Sequence, residues 1–494
     1  MGWLGIGWMS VARNQYKPLY RLIPKSLSSR FDSGEFGEKE LFLISDLTYP
    51  VIINESYRAR HLPQDRSRDF LKGMLSNSYR EVVDRLLAED ILQVRSNEQG
   101  RESYSTQHHH SKQYSLTKRY RDELVKDGVD GRIIKDHRQL KRINRFLENS
   151  TKNLLDKNPW LKIEIDSLRR IRFQKKEAES WVSEVYERQE FRGEPLTNAT
   201  YHRLLRSVNE LDQLFTSNSL PHVSIRNGRV FHALVNAHKE FRQFLRTLSN
   251  EPLVEVDMKS AQWVMLCKAL ALKEKYNYTS NLIENLEQHI ESPIDILATL
   301  PDESFPMVKE DESGLTGKWT PADAHHFART VFFDDIYTEL GLLKSSTGYA
   351  ILSGWRHPNR TAFKEESIAE SLYNYFTNPE QDVIHGDWEV RHIRSVLMET
   401  YPTVYSFLLQ CAQESTSNKR SRDLALLMQK YEGYFFHRVL QTALKEVLGG
   451  CGYAIIHDAF YLPASKREDA VAVMNEEALN CFGCAGFFND RTTA

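Results

Sequence analysis

Two aspartates stand where their surroundings invite chemistry. In "LVEVDMKSAQ" (253–262), Val254, Val256 and Met258 alternate with Glu255 and Asp257, the pattern of a half-buried strand. Asp257 lies at its C-terminal end, where a helix is expected to start, with Ser260 placed to act as its N-cap. In "GYAIIHDAFYLP" (452–463), two short apolar strands flank the polar pair His457-Asp458. An Asp suits a hairpin turn on its own. A carboxylate between apolar strands is nevertheless costly without a partner. Paired with Asp257 on a neighbouring strand, Asp458 would form a hard-oxygen site for divalent cations. Two such ions, about 3.5–4 Å apart, activate an attacking hydroxyl and stabilise a leaving pyrophosphate.

Other residues have types and spacings that would serve the same chemistry. Arg360 and Lys364, in "RTAFKEESIAESLYNYF", fall one turn apart on one helical face, where they suit a triphosphate or are ordinary surface charge. In "MQKYEGYFFHRVLQTAL", Tyr431, Phe435 and Val439 have the spacing of a core stripe, while Gln429 and Glu432 share another face that could point at the same site. Residues 112–176 carry 19 Lys and Arg against 9 Asp and Glu, a balance of +10 in a chain whose net charge is −2. Such a segment fits a polyanion partner, or a solvated helical face.

The chain has 494 residues, enough for about three domains. No run reaches the roughly 18 apolar residues of a membrane span. The start, "MGWLGIGWMSVAR", has no basic residues before its apolar stretch and carries Ile6 where a myristoylation pattern needs Ser or Thr. Five cysteines, an odd number, favour a reducing, cytoplasmic setting, and the single "CFGC" (Cys481 to Cys484) is a poor zinc site.

The elements needed to position these residues are partly legible. Residues 1–111 form an N-terminal region with a winged-helix-like unit: a helical pattern from Phe70 to Leu87, the apolar "DILQV", a polar loop with His108 to His110, and "KQYSL". Residues 112–219 read as a basic helical region. Residues 220–299 alternate short strands with helices around Asp257. An acidic insertion at 300–319 opens a helical region to 430, and 431–494 carry the hairpin of Asp458 and a final helix. No strand-rich acidic block precedes residue 220, so a proofreading nuclease domain is not expected.

Several stretches together resemble family A polymerases, the group of bacterial DNA polymerase I and the single-subunit phage-type RNA polymerases. "VEVDMKSAQ" resembles motif A, "IIHDAFYL" motif C, and "NGRVFHALVNAHKEFRQFL" (227–245) the segment that opens with T-G-R and runs on to an Arg. "RDLALLMQKYEGYFFHRVL" is similar to the family helix bearing Arg, Asn and Gln, with Arg422 and Gln429 matched and the Asn missing. The resemblance spans roughly residues 220 to 490, with the texture of polymerase-like proteins of mobile elements.

It implies an α+β fold, a right-hand palm with helical fingers and thumb. It also implies DNA synthesis during replication from a nucleic-acid primer–template and dNTPs, without proofreading. Asp257 and Asp458 would bind two Mg2+ (or Mn2+) ions, and His457 would sit near the primer end. Arg360 and Lys364 would hold the triphosphate. Arg229, Arg242, Arg422 and Gln429 would contact nucleic acid. Gln262, five residues after Asp257, occupies the position that selects the sugar. DNA polymerases carry Glu there, so deoxynucleotides are expected, with looser discrimination. Two departures stand out. Ala459 replaces the second acid of motif C in the DNA polymerases, and Ile368 stands where motif B has an aromatic residue. They keep open a non-catalytic DNA-binding replication protein with a degenerate palm, and an RNA-synthesising enzyme.

Overall fold

The computed structural model describes residues 19–53, 64–65, 68–94, 113–216, 224–300, 322–334, 336, 397, 400–414 and 422–488. The fold is mixed α and β, mostly helical, with small antiparallel sheets. The chain divides into two units, one of residues 1–224 and 232–252, the other of 225–231 and 253–494.

In the first unit, β1 (Leu19–Pro24) runs antiparallel to β5 (Val129–Ile134). Against this ribbon packs α1 (Glu38–Ile53), and α2 (Arg68–Leu75) and α3 (Tyr79–Ala88) join the same apolar core. A second sheet has the order β2-β4-β3, from Gln64–Asp65, Gln113–Leu116 and Leu92–Val94. The helix, strand, strand order expected from the sequence is therefore present, with β3 opposite β4 from Leu92↔Leu116 to Val94↔Tyr114. The intervening loop, with His108 to His110, lies outside the described residues. One apolar core joins Leu19 through Ile143, so α4 (Lys118–Asp127), β5 and the start of α5 (His137–Lys157) share it with the N-terminal elements. Beyond it come α6 (Leu161–Leu168), β6 (Ile171–Phe173), α7 (Lys175–Arg188) and α8 (Asn198–Thr216).

The second unit takes in the tip and outgoing strand of a hairpin of β7 (Ser224–Arg226) and β8 (Arg229–Phe231). The short β9 (Leu245–Thr247) pairs with β6 in the first unit. The central sheet of the second unit has the order β10-β12-β11, from Leu253–Asp257, Ala459–Pro463 and Ala454–Ile456. Every residue of β11 and β12 is buried. Helix α9 (Ala261–Tyr276) leaves β10 and is buried on all sides from Ala261 to Leu272, as a helix at the centre of a core must be. Around it lie α10 (Ala322–Phe333), α11 (Pro402–Glu414) and α12 (Arg422–Tyr434). Helix α12 passes through a π-helical turn, Phe435–Leu440, into α13 (Gln441–Leu448), and α14 (Arg467–Phe482) follows the hairpin. Tyr431 and Phe435 are buried and Val439 packs on the same core, as their spacing predicts. All five cysteines are free thiols.

Candidate active site

Strands β10 and β12 set the geometry. Their antiparallel register runs from Leu253 opposite Pro463 to Asp257 opposite Ala459. The ladder continues one step further, where the Met258 N–H donates to the Asp458 carbonyl at 3.0 Å. Asp458, in the two-residue turn between β11 and β12, thus lies one register step from Asp257 on the neighbouring strand. Both side chains are partly exposed, at the end of a sheet whose inner strands are sealed.

The backbone on either side of the carboxylates adopts a conformation that non-glycine residues avoid. His457 has φ 55° and Ser260 has φ 55°. Left-handed positions of this kind cost on the order of 1 kcal/mol or more and collect at functional sites. Ser260 does precede α9, but its side chain makes no capping hydrogen bond, contrary to expectation. The strand exit is held instead by the C-terminal segment: the Lys259 N–H donates to the Phe487 carbonyl at 2.9 Å, and Met258 bridges to Phe488. The His457 ring meets Phe231 edge-on, with centroids 6.1 Å apart.

A second carboxylate cluster lies behind the turn. Glu432 of α12 is fully buried. Arg229 of β8 grips it with both arms, Nε to Oε1 at 2.6 Å and Nη2 to Oε2 at 2.7 Å. The Gln262 amide, itself buried, also donates to Oε2. Burial raises the Glu432 pKa and the nearby Asp458 charge adds to that rise, while Arg229 and His437 oppose it. The Asp458 charge is therefore felt at Glu432, whose own charge is already matched by Arg229. The approach of β8 to α12 depends on two glycines. A side chain at Gly433 would strike the carbonyl of Gly228, and one at Gly228 would meet the Lys430 backbone.

Of the residues singled out from sequence, Asp257, Asp458, His457, Gln262 and Arg229 come together in the second unit. Gln429 lies one turn before Glu432 and accepts from Asn227 Nδ2 at 3.2 Å. Arg229 was expected to face nucleic acid; its guanidinium instead forks onto Glu432. Arg242 belongs to the first unit, in the 3-10 stretch Lys239–Phe244. Arg422 opens α12, and its side chain lies outside the described structure, as do Arg360 and Lys364 altogether. Glu432, which shares a helical face with Gln429, is the centre of this cluster, although the resemblance assigns it no role. Its signal was a lone acid among "KYEGYFF", where burial demands a basic partner.

The donor set suits a hard cation. Carboxylate oxygens and substrate phosphates are what Mg2+ prefers. Among the described residues no cation pairs with the Asp458 carboxylate, and Glu432 beside it is already neutralised by Arg229. Among the same residues no group of three or more His, Cys, Asp or Glu is arranged to hold a metal, so phosphate oxygens would have to complete the shell. No helix among them is long and apolar enough to cross a membrane. No family model matches the chain, and no curated protein matches it.

Proposed function

We propose that this chain is a template-directed nucleotidyltransferase of the family A polymerase type, extending a primer with dNTPs. The observation that supports the reading is the β10–β12 ladder, in which Asp257 and Asp458 lie on neighbouring strands one register step apart at the end of a buried sheet. The second unit would then be a palm, and the helices between its strands would supply fingers.

Asp257 and Asp458 would hold Mg2+ together with the triphosphate. Bound there, the metal supplies activation of the 3′-hydroxyl and neutralisation of the leaving pyrophosphate. The protein's own part is placement. The turn fixes His457 over Phe231, within reach of the primer end. Gln262 lines the sugar position, and Glu432 keeps its amide from rotating away. Discrimination against ribonucleotides should therefore be firmer than an untethered Gln would give. Arg360 and Lys364 are proposed to bind the triphosphate. Gln429, Arg242 and Arg422 are proposed to contact primer and template. A mismatched 3′ end is proposed to persist when the protein is incubated with metal and no nucleotide.

One observation favours a second reading. Ala459, where the DNA polymerases carry a further acid, is buried and lies opposite Asp257. A degenerate palm that only binds DNA would look the same at this position. Primer extension separates the two. The purified chain is incubated with DNA or RNA templates, with dNTPs and NTPs supplied separately, in Mg2+, Mn2+ or EDTA. Metal-dependent dNTP addition is the expected result. No addition under any pairing, with primer–template still bound, would leave the DNA-binding reading.

A further inference from the structure

The first unit carries a basic surface whose construction is independent of the palm. Its N-terminal core combines α2, α3 and the sheet β2-β4-β3, which is the strand order of a winged helix. In such a unit the second helix ordinarily meets the nucleic acid. Here that helix, α3, exposes Arg80 but also Glu81 and Asp84. Its Arg85 is engaged by Glu89 at 3.0 Å and Glu40 at 3.8 Å. It offers phosphate no net attraction.

Helix α5 does. From His137 to Leu147 it contains Arg138, Lys141, Arg142 and Arg145 and no acid until Glu148. At 3.6 residues per turn these four lie within an arc of about 100°, over a length of about 10 Å. Leu140 and Ile143 occupy the opposite side and enter the core. Arg138, Lys141 and Arg145 are exposed, and none of the four makes an ion pair among the described residues.

Two facts argue against ordinary surface charge. Elsewhere in this unit four helical cations pair with an acid one turn on: Arg85 with Glu89, Arg119 with Glu123, Lys175 with Glu179 and Arg206 with Glu210. In α5, Glu148, one turn beyond Arg145, makes no ion pair with it among the described residues, and the neighbours one turn apart are mostly like charges, namely 138 with 141 and 142, and 145 with 141 and 142. Each such pair destabilises the helix unless a polyanion lies over it. The helix is also firmly placed. Asp136 caps it through the Gln139 N–H at 2.8 Å, and Gln139 Nε2 donates to the Met74 carbonyl at 2.7 Å. Glu38 accepts from the N–H groups of Lys135 and Asp136 at 2.8 and 2.7 Å. Phe146 meets Phe70 edge-on, 5.8 Å between centroids.

We infer that the exposed face of α5, Arg138, Lys141, Arg142 and Arg145, is a docking surface for the phosphate backbone of duplex nucleic acid, reading no sequence. A rigid row of cations facing a regular row of phosphates gives affinity through counterion release rather than base contacts. The inference does not rest on the polymerase reading, and a protein that never adds a nucleotide could still have it.

The test uses the full chain and a fluorescein-labelled 20-base-pair DNA duplex, with binding followed by anisotropy from low to moderate salt. The variant is the triple Arg138→Gln, Lys141→Gln, Arg145→Gln. A control removes the same charge elsewhere, as Arg188→Gln, Lys275→Gln, Lys445→Gln. Each lost phosphate contact should flatten the slope of log K against log salt by about 0.9, so the triple should flatten it by about 3. Its affinity should fall by about tenfold or more, with the control close to wild type. Because like charges are removed, the thermal midpoint of the triple should equal or exceed that of wild type. A triple that binds like wild type would overturn the inference, as would equal losses in both variants. Unchanged duplex binding, with loss of binding to phosphatidylserine vesicles, would assign the surface to membranes instead.

Discussion

Glu432 shows how a single buried charge can organise a site. A carboxylate with no exposed surface is tolerable only because Arg229 approaches it with two hydrogen bonds and Gln262 with a third. Removing it would strand the guanidinium, and breaking such a buried pair costs about 3–5 kcal/mol. Glu432→Ala should therefore lower the urea midpoint by a corresponding amount, and Glu432→Gln by less. An alanine variant as stable as wild type would contradict the pairing. The same residue bears on sugar choice. If Gln262 crowds a 2′-hydroxyl, wild-type preference for dNTPs should be worth about 2–3 kcal/mol, roughly 30- to 150-fold. Gln262→Gly should erase most of that preference with little change in dNTP use, and Glu432→Gln should reduce it partway. The check is the ratio of kcat/KM for dNTP and NTP in each protein. Asp257 and Asp458 were legible because each stands out against an apolar strand. Glu432 was less so, because its partners are 170 and 203 residues away in sequence.

At the scale of elements, strands β10, β11 and β12 were readable from apolar alternation and from the polar pair at the turn. The short strand β1 and helix α1 were not. Tyr20, Leu22 and Ile23 belong to β1, whose partner β5 is more than a hundred residues away, and no local pattern announces it. Helix α1 buries Leu41, Phe42, Leu43, Ile44 and Leu47, which wrap around it and blur the helical period. The contact of the β7–β8 hairpin with α12 belongs to this scale too. Gly433 faces the Gly228 carbonyl, and backbone cannot swing aside as a flexible side chain can. Gly433→Ala should part the two elements and cost about 1–3 kcal/mol, the usual range for overpacking. Gly37→Ala, which would meet only the end of the Glu40 side chain, should cost far less. Equal midpoints for the two variants in thermal unfolding would show that the close approach is not needed.

At the scale of the whole molecule, charge and core divide the chain differently. The sequence marks residues 112–176 as one basic block, because charge is a surface property and is visible in composition. The core ignores that boundary: Leu116, Tyr120, Leu124, Val129 and Ile134 pack with Leu22 and Leu86 of the preceding elements. The block is therefore shared between the N-terminal core, with its α5 face, and the elements from α6 onward. Arg169 at the end of α6 is offset by Asp166 at 3.4 Å, whereas Arg138, Lys141, Arg142 and Arg145 of α5 make no ion pair among the described residues. A polymerase that docks duplex through one unit and adds nucleotides in another would be processive at low salt and distributive at high salt.

The most direct test of the central claim is single-nucleotide incorporation in Mg2+ by Asp257→Asn and Asp458→Asn, beside wild type and with primer–template affinity measured in parallel. Both substitutions keep size and hydrogen-bonding capacity and remove one charge. Wild-type incorporation, lost by at least about a thousandfold in each variant with affinity within a few fold, is the expected result. Incorporation by either variant at the wild-type rate would contradict the assignment of Asp257 and Asp458 as the metal-binding pair.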